Sequence, residues 1–488
     1  MQQLLRQLNW QNRNGPALRV VKPKRNSLFC LLSITQENPP TAMRPIILAL
    51  LFACLTSPAT PQEVTSEQLA NRVKAEFIHA WQGYKKYAWG HDAYKPLSKT
   101  SEDWYGTPFY ITALEALDAI TLMGLDEEAD STREFLATHL SFDKDVYVPT
   151  SEFTTRVLGA LLASYQLSAD QRLLTLAKDL GKRLLPAFIS PTTLPYREVN
   201  LKTGAVRGEV ISPAEVGTLL TEFGALAMIT LDATYFNYAK IALLEMYEHR
   251  SSIGLVGERI NITTGEWTNT ESHLGAGIGA YYADIIKSAY LFTDADCMQM
   301  WQTHYAAINQ YLLDSTAHGF WYGRAEMNSG KRTRTWFDAD EAFLPGAQAR
   351  YRDTDRAERT MQSCFQAWTK HGTQPEQYNY ATGTVEKPGY SLNPEIMESI
   401  YTLYCTTGNP DYRQIGKVFL DSLITYCKTD EGYAGLSSVI TKKKADRLDP
   451  WFFAGTMKYL YLLFNPPDVL DFGKIIMNSQ GHPIRKVW

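Results

Sequence analysis

Apolar residues recur at helical spacing along most of the chain. An early example carries apolar or aromatic side chains at Leu69, Val73, Phe77, Trp81 and Tyr84. Because residues three or four positions apart share one face of an α-helix, this spacing predicts an amphipathic helix. Short extended pieces, such as residues 195–200, predict loops or hairpins instead. The pattern therefore predicts an all-α fold with small loop or hairpin insertions.

Several of the predicted helices end in a similar short polar turn before the next apolar stretch begins. An apolar helix, a polar turn and a second helix together make an αα-hairpin. The turns recur at spacings of roughly 45 to 65 residues with one long gap, which favours hairpins closing into a toroid over an open solenoid of short identical repeats. They lie at residues 122–126, 229–232, 291–294, 405–411 and 464–468.

Composition indicates one large globular domain. The chain has 488 residues, of which 45% are hydrophobic and 12% aromatic, so it can bury a sizeable core. No linker rich in proline, serine or glycine interrupts it after about residue 65, so residues 65–488 are predicted to be a single domain. The formal net charge of -4 comes without a basic stripe, which makes nucleic acid an unlikely partner class.

The N-terminal residues have the layout of an export signal. Residues 1–42 are rich in glutamine and arginine, and Met43 and Arg44 precede an apolar run over residues 45–55. A short basic start followed by about ten apolar residues is typical of a signal peptide and is too short to span a membrane. We therefore predict a signal peptide or lipoprotein signal over residues 43–60, with 1–42 as an upstream extension if translation begins at Met43.

The residues before Cys54 loosely resemble a bacterial lipobox, although Phe52 is atypical within it. Lipid attachment at Cys54 would tether the protein to a membrane, and plain export is the alternative. Export to the periplasm, outer surface or medium is expected in a bacterium, and the lumen of the secretory pathway in a eukaryote.

A series of distinctive segments follows in order from Phe77 to the C-terminus. They are FIHAW at 77–81, YAWGHD at 87–92, ALD at 116–118, LMGL at 122–125, EFTTRVLG at 152–159, AEVGTL at 214–219, Asp338 with AFLPG at 342–346, NPEIMES at 393–399, KYLYLLF at 458–464 and NSQGHP at 478–483. In these segments the chain resembles glycoside hydrolase family 47, the class I α-1,2-mannosidases, and particularly the endoplasmic-reticulum degradation-enhancing mannosidase-like branch of that family.

The resemblance implies an (α/α)7 barrel, a calcium ion and inverting hydrolysis of terminal α-1,2-linked mannose. Inverting glycosidases need two carboxyl groups roughly 6.5 to 9.5 Å apart, one as acid and one as base. Glu152 matches the family's general acid and Glu395 the glutamate usually assigned as base. Arg156 follows Glu152 by four residues, so both would lie on one helical face, where the arginine could position the carboxyl group.

The resemblance also suggests residues for the substrate and the metal. Ser479 stands where a threonine supplies its hydroxyl and carbonyl oxygens to calcium, and serine offers the same two oxygens. Gln480 replaces the glutamate of that calcium pair, so the ion should bind more weakly with fewer carboxylates around it. Glu398 matches a residue near the ion and its waters, and Trp451 is a candidate aromatic surface for a sugar.

Several family acids are missing, which leaves the activity open. The family motif Asp-Ser-Tyr-Tyr-Glu reads Gly279 to Ala283 here without either acid, and Asp284 is turned by about 100° from the glutamate position, so we do not expect it to substitute. An arginine is replaced by Asn393, and a glutamate of the final helix by Gly455.

Three functions therefore remain open. The first is a slow or altered α-mannosidase that works with Glu152 and Glu395. The second is a catalytically inactive protein that binds mannose-type glycans on aromatic surfaces, and the third is an exported scaffold. The acid and base retained in their motif contexts place hydrolysis first.

Overall fold

The helices of the computed structural model, which describes residues 65–317 and 319–486, fall into two sets that differ in burial. In the first set more than half of the residues of each helix are buried, and in Ile111–Leu122 ten of the twelve residues are. A helix that is apolar on all sides must be surrounded by other elements. This set forms an inner ring of helices. Its members are α2 Ile111–Leu122, α5 Gly159–Ser168, α8 Leu220–Thr230, α10 Gly279–Phe292, α12 Leu344–Arg350, α14 Glu395–Thr407 and α16 Lys458–Phe464.

The second set is amphipathic and forms an outer ring. In Asp126–His139 the buried residues are Ala129, Thr132 and Leu136, a single stripe at helical spacing. Each outer helix covers an inner neighbour with that stripe. The members are α1 Ser66–Tyr87, α3 Asp126–His139, α6 Gln171–Leu184, α9 Ala233–Glu248, α11 Ala295–Ala307, α13 Thr354–His371 and α15 Asp411–Tyr426. Two short helices, α4 Thr150–Glu152 and α7 Ala214–Gly217, precede inner helices.

The rings close where the two ends of the domain meet. The π-helical turn Phe452–Met457, which leads into α16, packs on α2, and α16 itself packs on α1. Seven inner and seven outer helices in the described residues thus form a closed (α/α)7 barrel: the hairpin pattern predicts the toroid, and the family resemblance implies its seven hairpins. Other helical turns are Phe153–Leu158, Leu185–Phe188, Ile308–Leu312 and Ala339–Phe343.

Four of the short turns from an inner to an outer helix in the described residues share one local chemistry. A residue with left-handed backbone conformation ends the inner helix, and an aspartate side chain then accepts a hydrogen bond from a main-chain N–H of the outer helix. The long gap between predicted turns is filled by such a turn at Arg352 and Asp353. The other examples are Ala169 with Asp170, Leu231 with Asp232, and Thr293 with Asp294.

The strands form small antiparallel sheets, most of them in the long connections from outer to inner helices. The predicted extended piece at 195–200 contains β4, the centre of a three-stranded sheet with β3 and β5. The strands are β1 Ala93–Lys95, β2 Thr100–Glu102, β3 Tyr147–Pro149, β4 Glu198–Asn200, β5 Val206–Arg207, β6 Val210–Ile211, β7 Arg259–Asn261, β8 Trp267–Asn269, β9 Glu271–Ser272, β10 Leu313–Thr316, β11 Gly319–Tyr322, β12 Arg324–Glu326, β13 Arg332–Arg334, β14 Trp336–Asp338, β15 Gln377–Asn379, β16 Thr384–Lys387, β17 Lys428–Thr429, β18 Gly432–Tyr433, β19 Leu436–Ser438, β20 Lys443–Lys444, β21 Ile475–Met477 and β22 Pro483–Arg485.

The last hairpin, β21 with β22, enters the inner ring. Its turn is anchored by buried side chains, since Asn478 Nδ2 donates to Glu222 Oε1 at 2.6 Å and to the Thr155 carbonyl at 2.8 Å. His482 Nδ1 lies 2.7 Å from Asp118 Oδ2. These contacts join the turn to three inner-ring segments, so the residues between them, Ser479 and Gln480, are held inside the barrel.

The predicted extension over 1–42, the signal over 43–60 and Cys54 lie outside the described residues. Thr65–Trp488 form one compact unit by their contacts. Within the described residues, no helix has the length and apolar character needed to cross a membrane.

Candidate active site

One cavity of about 360 Å³ lies where the inner helices begin. Its walls come from residues at or just before the first turns of α5, α8, α10, α12 and α14, together with the turn of the last hairpin. Free N–H groups at helix N-termini favour negative charge, so this end of the ring suits carboxylates and polar ligands. Six of the lining residues carry the chemistry discussed below: Glu152, Arg156, Asp340, Glu395, Glu398 and Ser479.

A larger cleft, of about 730 Å³, lies between the β10–β11 hairpin and α13. Its described lining contains Arg359 and Lys370 but no aspartate or glutamate. The paired carboxyl groups that an inverting glycosidase needs are in the smaller cavity, which is therefore the candidate active site.

Glu152 lies at the cavity with its side chain 49% exposed. The helix continues as a π-helical turn, Phe153–Leu158, in which Arg156 Nε still comes within 3.6 Å of Glu152 Oε2. The Tyr105 hydroxyl donates to the same oxygen at 3.4 Å. The carboxyl group is therefore oriented from two sides and open to a ligand.

Arg156 is held more firmly than Glu152. Its Nη1 donates to Glu115 Oε1 at 3.1 Å and to Gln480 Oε1 at 3.0 Å. Its guanidinium also lies over the rings of Trp104 and Trp451, 5.8 and 5.1 Å from their centroids. Such planar contacts fix an arginine in one orientation.

Trp451 is therefore a support for Arg156 and is not part of the described cavity lining. Its indole N–H donates to the Ser391 carbonyl at 2.8 Å, and Arg447 lies 5.4 Å from its ring centroid. Stacking of a sugar on Trp451 stays a prediction. Trp104 and Tyr105 were missed by sequence reasoning because no motif includes them.

Glu395 is half-buried at the first turn of α14, and its Oε2 has no hydrogen-bond partner. Burial raises the pKa of Glu395 well above its usual range, and the nearby Asp340 carboxyl group is the second cause of this shift. The Asn393 side chain nearby lowers the pKa of Glu395 and so opposes this shift. Asn393 Nδ2 also donates to Asp340 Oδ1 at 3.0 Å.

Asp340 was not predicted from the sequence as a site residue. It lies in the 3-10 helical turn Ala339–Phe343 and lines the same cavity wall as Glu395. Burial raises the pKa of Asp340 to about 6, with a further contribution from Asp338. Only a run of acids, Asp338, Asp340 and Glu341, could have signalled it in the sequence.

Glu398, one helical turn beyond Glu395, is paired with a cation. Its Oε1 lies 2.9 Å from Lys287 Nζ, and both residues line the cavity. Lys287 Nζ also donates to the Asn478 carbonyl at 3.3 Å. This ion pair joins α10, α14 and the hairpin turn.

Ser479 donates its hydroxyl hydrogen to Asp284 Oδ2. Asp284 is 1% exposed and is absent from the cavity lining, as its helical offset predicts, but its contact with Ser479 was not expected. Burial raises the pKa of Asp284 to about 6 despite the opposing effect of Lys287. Burial and Asp284 likewise raise the pKa of Glu222, whose Oε2 is buried without a partner.

The oxygens around Ser479 suit calcium chemically. The hydroxyl hydrogen points to Asp284, which leaves the lone pairs of Oγ and the main-chain carbonyl available to a hard cation. The described residues contain no cluster of three or more histidine, cysteine, aspartate or glutamate side chains able to hold a metal. A cation here would therefore depend on Ser479 and on water.

The glycines at two lost acid positions leave no space for a side chain. A Cβ at Gly279 would collide with the main-chain oxygen of Leu274 and lie 2.9 Å from Phe343 Cε1. A Cβ at Gly455 would lie 2.5 Å from Pro394 Cβ. Main-chain atoms of Leu274 occupy the space at Gly279 and the Pro394 side chain occupies it at Gly455, so neither position has room for an acidic side chain.

We expect the Gly279→Asp variant to be destabilised by about 1–3 kcal/mol, because the new side chain must displace main-chain atoms, and to gain no activity. Ala283→Glu is the matched control, since it restores the other lost acid by extending a side chain that already lines the cavity. Urea unfolding would measure both. Equal stability of Gly279→Asp and the parent would contradict the closed packing.

The structure is a closed (α/α) barrel with several carboxyl groups gathered in one cavity. The family model for "Glycosyl hydrolase family 47" matches residues 76–486, and the chain belongs to that family. The chain is 34% identical over 448 residues to "ER degradation-enhancing alpha-mannosidase-like protein 2" of Mus musculus, a match covering 85% of this chain and 77% of the relative. It is also 34% identical to "Alpha-mannosidase I MNS5" of Arabidopsis thaliana over 91% of this chain and 81% of that one.

A solved structure agrees on the fold. The "alpha-1,2-mannosidase from Trichoderma reesei" superposes with a TM-score of 0.79 at 21% identity, over 86% of this chain and 99% of that chain. The predicted (α/α)7 barrel is confirmed.

Proposed function

We propose that this protein hydrolyses terminal α-linked mannose from oligosaccharides with inversion at the anomeric carbon. The observation that carries the proposal is the meeting of Glu152 and Glu395 in one cavity, from inner helices separated along the chain by more than two hundred residues. An acid and a base are the minimum that inversion requires. The names of the two 34% identical relatives support mannose as the sugar.

Each carboxyl group has an environment suited to a different task. Glu152 is solvent-accessible and oriented by Arg156 and Tyr105, so it can protonate the leaving oxygen of an entering glycan. Glu395 lies deeper, and its unpartnered Oε2 can take a proton from water on the opposite face of the sugar. Because Glu152 is exposed and Glu395 lies deeper, their positions define the orientation in which the terminal sugar enters the cavity.

Mannose release from α-1,2-mannobiose by the purified protein with calcium tests this proposal. Free mannose would support hydrolysis, and the stereochemistry of the first product, read by proton NMR, would test inversion. Absence of release at high protein concentration, with sugar binding detected by calorimetry, would instead favour a glycan-binding protein. Absence of both would favour the scaffold.

Calcium is part of the proposal through Ser479. The ion would supply coordination sites for water and sugar hydroxyl oxygens beside the carboxyl groups. Its Ser479 ligands would be the hydroxyl and carbonyl oxygens, and the Lys287 ammonium nearby lowers the negative charge available to it.

We expect calcium at a hundred times its dissociation constant to stabilise the folded protein by about 2.7 kcal/mol, because it binds only the folded state. Thermal melting with and without calcium measures the shift. In the Ser479→Ala variant the calcium-induced shift should be much smaller, whereas the exposed Ser437→Ala should keep it. An equal shift in both variants would contradict a site at Ser479.

We further propose the lumen of the secretory pathway as the location. The mouse relative is named for degradation in the endoplasmic reticulum, where mannose-containing glycoprotein glycans are the matching substrate class. Localisation of a tagged full-length chain, together with its sensitivity to glycan-removing enzymes, would test this.

A further inference from the structure

We propose that Asp340 assists the base: its carboxyl group, held by the Asn393 amide, and that of Glu395 line one cavity and hold one proton between them, and Glu395 receives the proton of the attacking water. This inference rests on the proposed hydrolysis and adds a residue that no family motif quoted above contains.

The geometry brings the two carboxyl groups into one cavity beside Asn393. Asn393 Nδ2 donates to Asp340 Oδ1 at 3.0 Å, and Asn393 precedes Glu395 by two residues at the start of α14. The amide is itself fixed, because its Oδ1 accepts a hydrogen bond from Ser391 Oγ. Asn393 therefore holds Asp340 at the end of α14 from which Glu395 enters the same cavity.

No cation compensates this pair. In the described part of the chain, neither Asp340 nor Glu395 takes part in an ion pair, although their acidic neighbours do: Glu398 is bound by Lys287, and Asp338 by Arg324. Two close carboxylates without a cation cannot both ionise cheaply, so one proton is retained by the pair. Uncompensated acids of this kind are typical of functional sites.

The remaining charged and titratable groups around the pair do not remove this effect. Glu341 is another buried carboxyl group, with both oxygens unpartnered, and so adds no positive charge that could offset the pair. The groups whose charges act on the pair or on its immediate neighbours are Asp338, Glu341, Glu376, Glu398, Lys287, Arg324, Arg350, Tyr390 and Tyr459.

The step balances as follows. With the shared proton on Asp340, Glu395 is the anion and its Oε2 takes a proton from water, while the water oxygen forms its bond to the anomeric carbon. The glycosidic bond breaks, and its electron pair stays on the leaving oxygen, which takes the proton of Glu152. The pair ends with two protons and Glu152 with none, and exchange with solvent restores both.

The test compares the parent with Asp340→Asn, which keeps the shape and the acceptor for Asn393. The acid-side limb of the pH profile of kcat/KM should move down by about one pH unit, because removing a neighbouring negative charge lowers the pKa of Glu395. The kcat at pH 7 should fall by about tenfold, within the range for lost proton-transfer assistance. The control Glu386→Gln removes an exposed carboxylate that neither lines the cavity nor acts on the pKa of Asp340 or Glu395, and should leave the profile unchanged.

A second measurement needs no activity. Infrared difference spectra of the substrate-free protein at pH 7 should show a protonated carboxyl band that is lost in both Asp340→Asn and Glu395→Gln, because either variant removes the partner that raises the pKa. A protonated carboxyl band that survives in Asp340→Asn would overturn the shared proton. If the parent is active and the acid-side limb of its pH profile does not move in Asp340→Asn, the shared proton is overturned as well. If the parent protein releases no mannose but shows the protonated carboxyl band that both variants lose, the proton shared by Asp340 and Glu395 is upheld and the proposed hydrolysis is rejected. Thermal melting confirms that each variant is folded.

Discussion

Mannose release from α-1,2-mannobiose should fall by at least about a hundredfold in the Glu152→Gln variant. Glutamine keeps the shape of the side chain and can still contact Arg156 and Tyr105, but it cannot give a proton to the leaving oxygen. Loss of a general acid typically costs about 10² to 10⁴ in rate. The measurement is the initial rate of mannose formation at saturating calcium.

The leaving group separates the two carboxyl roles. The aryl group of an activated aryl α-mannoside leaves without being protonated. Glu152→Gln should therefore retain much of its rate on that substrate, whereas Glu395→Gln should lose activity on both substrates. The control Glu198→Gln lies outside the cavity lining, in a surface ion pair with Arg207, and should behave as the parent. The reverse pattern, with the aryl substrate rescuing Glu395→Gln, would exchange the two roles.

The largest loss of stability is expected for Asp118→Ala. Asp118 is fully buried between Lys458 and His482, so the substitution leaves the buried Lys458 ammonium without its carboxylate. Removing one partner of a buried pair typically costs about 3–5 kcal/mol. Urea unfolding at pH 7 measures the change, and Asp130→Asn, which affects an exposed pair with Arg133, should cost at most about 1 kcal/mol.

Acid should remove this contribution. Burial alone would raise the pKa of Asp118, but Lys458 and His482 together hold it below the ordinary value of 3.8. A carboxyl group whose folded pKa is lowered stabilises the fold above its unfolded pKa and loses that effect as the pH falls. The difference in stability between parent and variant should therefore shrink below about pH 4, and a pH-independent difference would contradict the ionic origin.

Local sequence signals predicted well wherever the deciding contacts are close along the chain. The hairpin turn at Leu231 and Asp232 follows from a polar, helix-capping residue after an apolar run. The contact between Glu152 and Arg156 follows from their spacing of four. The turn at Arg352 and Asp353 was missed, because a helix of only seven residues precedes it.

The candidate site was predicted less completely, because its residues meet only when the ring closes. Asp284 illustrates this: its offset on α10 correctly excludes it from the cavity wall, yet the inserted hairpin brings Ser479 to its carboxyl group. Trp451 has the character of a sugar platform in sequence, but it packs on Arg156 in space.

The sequence by itself determined the alternating helices, the family and the retained pair Glu152 and Glu395, because these follow from short-range periodicity and from motifs. Only the tertiary structure decided what stands near the lost acids: Leu274 main-chain atoms fill the space at Gly279, the Pro394 side chain fills it at Gly455, and Asn393 holds Asp340 at the start of α14. The physical reason is that residues at or just before the first turns of five inner helices line the cavity, and the packing of the ring sets which of them touch.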